Sequence, residues 1–240
     1  MISKIKRILR EQIKLQRLMY LQSKELEWAQ IYHDSIRGKK EIENLPINVG
    51  RWAGNYTFFY LLNRILSEYK PEKIIEFGLG ESTKFISTFL DHYLSNSQLL
   101  TIEHDDNWKT LFLNNFKAST NSKIEIFELT KKQINGHNSN GYKDIESKIT
   151  EAFDLYIVDG PFGSPHFSRH DIVALLKLKS KGDEFMVIID DYERIGEKET
   201  TQSILDLLKL INIEVFTKEY VGNKSVFVIA TKKYKYVTSF

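Results

Sequence analysis

Lys73-Ile74-Ile75-Glu76-Phe77-Gly78-Leu79-Gly80-Glu81-Ser82-Thr83 is the stretch on which the fold turns. It reads as a short apolar strand, a tight glycine turn and the start of a helix. Gly78 and Gly80 let backbone approach a ligand with no side chain in between. Ser82 and Thr83 can cap the helix, whose first N–H groups then face an anionic ligand group. Such a strand–turn–helix forms a nucleotide-type cofactor site at the first strand of an α/β fold. A lone G-x-G is a weak signal. Here, acids at the ends of later strands give it weight.

Working outward, the apolar runs 98–103, 123–128, 153–159 and 185–190 read as further strands. Helical patterns over 56–69, 81–94, 107–116, 171–179 and 200–210 separate them, with a short helix expected near 142–150. Asn and Gly crowd 135–141, which reads as a loop. Runs 213–220 and 224–231 flank Gly222-Asn223, a hairpin turn. Alternating strands and helices predict an α/β, doubly wound, mainly parallel Rossmann-like sheet with an antiparallel C-terminal edge hairpin. The expected division is an N-terminal helical extension and loop over 1–55, then a Rossmann-like domain over 56–240.

Composition narrows the function classes. A net charge of +2 argues against a nucleic-acid partner, which calls for a strongly basic surface. There is no cysteine, so disulfides, thiolate zinc sites and cysteine nucleophiles drop out together. With no apolar run of membrane-spanning length and no apolar signal core near Met1, a cytoplasmic location is expected. Residues 2–36 read as one helix. Ile2, Ile5, Leu9 and Ile13 form an apolar stripe, and Lys4, Lys6, Arg7, Arg10, Lys14 and Arg17 lie off it. Such a helix can pack on the domain, join a second subunit in a homodimer, or make peripheral contact with an anionic membrane surface.

Ligands of open α/β sheets bind beyond the carboxyl ends of the strands. Strand one ends in Glu76 to Gly80, strand two in Glu103-His104-Asp105, strand four in Asp159-Gly160-Pro161 and strand five in Asp190-Asp191. Glu103 follows the glycine turn by about 20–25 residues, the spacing at which an acid accepts both ribose hydroxyls. Asp159, Asp190 and Asp191 offer oxygen ligands of the kind Mg2+ prefers, or one of them caps a helix. His166 and His170 flank the strand-four loop and are candidate bases beside Asp159. Arg169 and Arg194 can grip an anionic acceptor or pair with the acids. In the loop before 56, Trp52 and Tyr56 offer faces for a sugar or adenine, or form an aromatic plug. Trp108 flanks an adenine or packs in the core.

E-F-G-L-G-E-S-T, T-I-E-H-D, D-L-Y-I-V-D-G-P and the terminal hairpin together resemble the class I S-adenosylmethionine-dependent methyltransferases over about residues 56–232. The resemblance implies that Glu76, Gly78, Gly80, Ser82, Thr83, Glu103 and Asp159 line the S-adenosylmethionine site. Ser82 stands where many members have a third glycine. V-D-G-P-F-G-S-P-H-F-S-R and I-D-D-Y-E-R are similar to polysaccharide O-methyltransferases of the glucuronoxylan type. The same acids resemble the magnesium set of catechol-type O-methyltransferases. These resemblances imply an O-methyltransferase acting on a small-molecule or glycan hydroxyl, with Mg2+ as a second cofactor in the catechol-type case.

Overall fold

The computed structural model describes residues 2–50 and 52–240. The side chain of Ile2, counted above in the apolar stripe, lies outside the described residues. In chain order the elements are α1 (Ile2–Ile36), α2 (Lys40–Glu43), α3 (Tyr56–Glu68), β1 (Lys73–Phe77), α4 (Glu81–His92), β2 (Gln98–Glu103), α5 (Asp106–Asn115) and β3 (Ser122–Ile126). There follow β4 (Leu129–Ile134), β5 (His137–Tyr142), α6 (Ile145–Lys148), β6 (Leu155–Val158), α7 (Asp171–Leu176), β7 (Met186–Ile189), α8 (Ile195–Leu210), β8 (Phe216–Val221), β9 (Ser225–Ala230) and a 3-10 helix, Lys232–Ser239.

Seven strands form one sheet in the order β3-β2-β1-β6-β7-β9-β8. The first five pair in parallel, and β9 is antiparallel to both β7 and β8. The order reverses between β1 and β6, which opens a crevice at their carboxyl ends. This is the sheet expected from the sequence.

Alternation along the strands divides the core in two. Ile74, Leu155, Ile157 and Ile188 point to one face, covered by Phe58, Phe59 and Leu62 of α3 and Phe85 and Phe89 of α4. Ile75, Phe77, Tyr156 and Val187 point to the other, covered by Ile172 of α7 and Ile204 and Leu208 of α8. Each such fully buried side chain stabilises the fold by roughly 1.5–3 kcal/mol. Tyr32 and Ile36 of α1 join the first core, so the last part of that helix belongs to the domain.

The segment 135–141, expected as a loop, is part of a β-hairpin. Asn135 and Gly136 both have positive φ (48° and 82°), the conformation of a tight two-residue turn, and β4 pairs with β5 around it. Polar composition hid these strands, since His137-Asn138-Ser139-Asn140 lacks the β-branched residues that mark a strand. The hairpin braces the loop after β6: Asn140 N–H donates to Ser164 Oγ (2.8 Å) and Ser139 Oγ to Phe167 O (2.6 Å). The start of α8 also differs from expectation, falling at Ile195 and bringing Glu197 into its first turn.

Candidate active site

The half of the crevice expected to take a cofactor is built largely by the turn between β1 and α4. Gly78 takes φ +98°, and its backbone runs against Gly160, where a Cβ would lie 2.7 Å from Gly78 N. Glycine at both positions is therefore a steric requirement. Gly80 differs: a Cβ there would meet nothing within 4 Å.

Buried hydrogen bonds set this turn. Gly80 N–H donates to Thr83 Oγ1 (3.0 Å), and Thr83 Oγ1 donates to Glu76 Oε2 (2.6 Å), which also accepts from Thr101 Oγ1 (3.0 Å). Glu76 is fully buried, and its Oε1 has no hydrogen-bond partner among the described residues. Burial pushes this carboxyl up to about 7, against the opposing pull of the Ser82, Thr83 and Thr101 hydroxyls.

Glu103 closes the other side. Its Oε1 accepts from the N–H groups of His104 (2.6 Å) and Asp105 (2.9 Å), and its Oε2 from Leu79 N–H (3.0 Å). Each carboxylate oxygen offers about two lone pairs, so Oε2 keeps capacity for a hydroxyl donor. Trp108 Nε1–H donates to Leu79 O (2.8 Å), and His104 meets the exposed Phe162 edge-on at 4.6 Å. The residues present therefore fit an S-adenosyl group: an acid with spare acceptor capacity, an open glycine position and an unpartnered buried carboxylate oxygen.

The second half gathers charge. Asp159, Asp190 and Asp191 each present a carboxylate oxygen within 4.8 Å of the others, as the strand-end reading expected. Lys224, immediately before β9, places Nζ 2.8 Å from Asp190 and 3.0 Å from Asp191. Arg169 Nη2 lies 2.9 Å from Asp191 and 3.2 Å from Asp159, with Glu197 behind it at 3.9 Å from Nε. Burial raises the Asp159 and Asp190 carboxyls, Asp190 adding to the effect on Asp159. Burial would raise Asp191 too, but Arg169 and Lys224 outweigh it and hold that group low. Arg169 and Asp191 both sit at left-handed φ (58° and 59°), a strained backbone of about 1 kcal/mol or more per residue.

The triad does not fit Mg2+ as the catechol-type resemblance implied. Magnesium demands near-octahedral oxygen at about 2.0–2.1 Å. Here an ammonium bridges two of the three carboxylates and a guanidinium bridges Asp159 and Asp191. An ion held by the same oxygens would stand against Lys224 Nζ with like charge.

Other expected site residues are placed as follows. Arg169 is buried and committed to the acids, so it is not an acceptor grip. Arg194 pairs with Asp191 (2.9 Å) but leaves 49% of its side chain exposed. His166 Nδ1 bonds Glu199 (2.9 Å), and its ring stacks on His137 at 4.1 Å. His170 is half-buried, and burial lowers it to about 4. Among the described residues neither histidine makes a hydrogen bond or ion pair with the acid cluster. Tyr56 is packed against Tyr32 and His33, the plug reading. Trp52 is 96% exposed. Its loop is tied beside the glycine turn by Asn48 N–H donating to Glu81 Oε2 (3.0 Å).

Lys224, Glu197 and Glu25 escaped the sequence reading. The signal for Lys224 is topological: β9 runs antiparallel beside β7, so the residue before it lies at the carboxyl end of β7. Glu25 is buried in α1 and accepts from Tyr56 N–H (2.7 Å), Asn55 Nδ2 (2.8 Å) and Asn223 N–H (2.9 Å). With Val49, Gly50 and Lys224 these residues line a cavity of about 260 Å³. A second cavity, of about 290 Å³, lies at the amino ends of β1 and β2, the wrong edge of such a sheet for the ligand.

No protein-family model matches the chain. No curated protein matches it by sequence either. Among solved structures it is similar to an O-methyltransferase from Bacillus cereus solved with S-adenosylhomocysteine: 13% identity, 90% of this chain and 100% of that one covered, TM-score 0.53. It is also similar to TomG of Streptomyces achromogenes, an O-methyltransferase of tomaymycin synthesis solved with S-adenosylmethionine: 14% identity, 89% and 97% covered, TM-score 0.52. At such identities the likeness is one of fold, the α/β sheet described above. Among the described residues no helix is long and apolar enough to cross a membrane.

Proposed function

We propose that the chain is an S-adenosylmethionine-dependent O-methyltransferase that works without a divalent metal. The observation that carries this reading is the pairing of the glycine turn after β1 with Glu103 at the carboxyl end of β2, beside the crevice between β1 and β6. Glu103 would hold the ribose, Gly80 would lie against the amino-acid part, and Glu76 Oε1 would take a donor from it. The bound cofactor supplies a methyl group on a sulfonium, an electrophile that needs no further activation.

The protein's own task is to align an acceptor hydroxyl and remove its proton. Asp159 is the one member of the acid cluster with appreciable exposure, 21% of its side chain. The carboxylate oxygen not bonded to Arg169 would take the proton. Lys224 Nζ would hold the negative charge that collects on the oxygen, the part a metal plays elsewhere.

For the acceptor, we propose a sugar hydroxyl or related group in surface polysaccharide biosynthesis. The exposed Trp52 offers an apolar face suited to a sugar ring, and half-exposed Arg194 suits an acidic substituent such as a uronate. A catechol-like small molecule is the second reading. It calls for a metal to bridge two hydroxyls, and the Lys224 ammonium disfavours one. A noncatalytic nucleotide-binding protein is the third.

Thermal unfolding with S-adenosylmethionine, S-adenosylhomocysteine and NAD tests the proposal. Ligand at about a hundredfold its dissociation constant stabilises by about 2.7 kcal/mol, roughly 5–10 °C here. Both S-adenosyl ligands should raise the midpoint, and Glu103→Ala should abolish the rise. A rise with NAD alone would move the chain to the dehydrogenases.

A further inference from the structure

Every described side chain from Lys4 to Tyr20 is exposed, although α1 continues unbroken into the core. The exposed part is about 25 Å long at 1.5 Å per residue. Its surface is sharply sided. At about 100° per residue, Ile5, Ile8, Leu9, Ile13, Leu15 and Met19 fall within roughly 160° of arc. Only the uncharged Gln12 and Gln16 interrupt that arc. Leu9 and Ile13 are 53% and 59% exposed, so the stripe has no partner among the described residues.

The domain cannot cover this stripe by extending its existing contact. Downstream, α1 docks through Glu25, Trp28, Tyr32 and Ile36. Continued upstream at helical spacing, the same face meets Leu21 and the exposed Leu18, and then Lys14, Arg10 and Arg7. The docking face thus turns basic, and the apolar stripe emerges on the opposite side.

Charge selects the occupant. From Lys4 to Tyr20 there are six basic side chains and one acidic, Glu11, which faces Arg7 at 4.0 Å. A second copy of this segment would bring the same excess of basic side chains and so would add to the unbalanced positive charge, whereas an anionic surface would offset it. Lys4 and Lys6 border the arc on either side, where long basic side chains can lay their stems on an apolar layer and keep their charge at its surface. We infer that residues 4–20 of α1 dock on an anionic lipid membrane, lying in the interface plane with the stripe inward. The inference stands apart from the methyltransferase reading.

The test is co-sedimentation of the full chain with phosphatidylcholine vesicles, with and without phosphatidylglycerol, at about 0.1 M and about 0.5 M salt. Binding should be at least about tenfold stronger on the anionic vesicles and should fall with salt. Two variants should each remove it while keeping the unfolding midpoint, because they change only exposed residues: Ile5→Asp with Leu9→Asp, and Arg7→Gln with Arg10→Gln and Lys14→Gln. Absence of binding would overturn the inference, as would full binding by the aspartate variant. So would a solution dimer that Leu9→Asp converts to monomer, since the stripe would then belong to a second copy.

Discussion

The two halves of the crevice are assembled by opposite means. The half proposed for the cofactor is local: Glu76, Gly78, Gly80 and Thr83 lie within one turn, and Thr101 and Glu103 of the neighbouring β2, with Trp108 just beyond it, complete it. Its geometry is held by backbone N–H groups and hydroxyls. The acid cluster is long-range, drawing Asp159, Arg169, Asp190 and Lys224 from three strand ends and a loop. Its geometry is held by charge. Local architecture of the first kind suits a fixed, common ligand. Charge balance of the second kind can be retuned by one substitution, as the proposed reading asks of the part that meets an acceptor.

The largest effect should come from breaking the charge balance. Lys224→Met leaves Asp190 and Asp191 buried with one cation fewer, a change that typically costs about 3–5 kcal/mol. The midpoint should fall by roughly 6–20 °C. The same variant should gain Mn2+ binding, read by electron paramagnetic resonance, whereas wild type should show none at this triad. Tight Mn2+ binding by wild type would remove the distinction between Lys224 and a metal.

A pH titration probes the other half. Glu76 titrates in the folded protein near 7, above its ordinary range. The folded state therefore holds this proton where the unfolded chain has lost it. The contribution is fully present below the ordinary carboxyl value and is lost as pH rises through about 7. Between pH 5 and 8 wild type should lose up to about 3 kcal/mol relative to Glu76→Gln, measured by urea unfolding. Equal pH slopes in the two proteins would contradict the buried-carboxyl account.

Smaller effects mark the edges of the comparison. Asn55→Ala removes the N-cap of α3, whose Oδ1 accepts from Phe58 N–H (3.1 Å), together with the amide that meets Glu25. The expected cost is about 1–2 kcal/mol in chemical denaturation. Trp52→Ala should change stability by under about 0.5 kcal/mol, because the side chain touches almost nothing. Any larger loss would place Trp52 in the fold and not at the acceptor.

The same contrast explains what the sequence could reveal. The doubly wound sheet and the glycine turn were legible because apolar runs, glycines and a strand-end acid carry them within short windows. The convergence of Asp159, Asp190 and Asp191 was legible from strand ends alone. Their occupant was not, because Lys224 becomes informative only once β9 is known to lie against β7. His166 and His170 looked like bases by proximity in sequence, but the β4–β5 hairpin and α8 give His166 its partners, and burial holds His170 neutral. That hairpin was itself hidden by its polar strands.

The most direct measurement is calorimetric titration of S-adenosylhomocysteine into the chain in the presence of EDTA, repeated with Mg2+ and with Glu103→Ala. The account predicts one site per chain in EDTA, unchanged by Mg2+ and lost in the variant. Absence of binding, or binding that emerges only when Mg2+ is added, would contradict it.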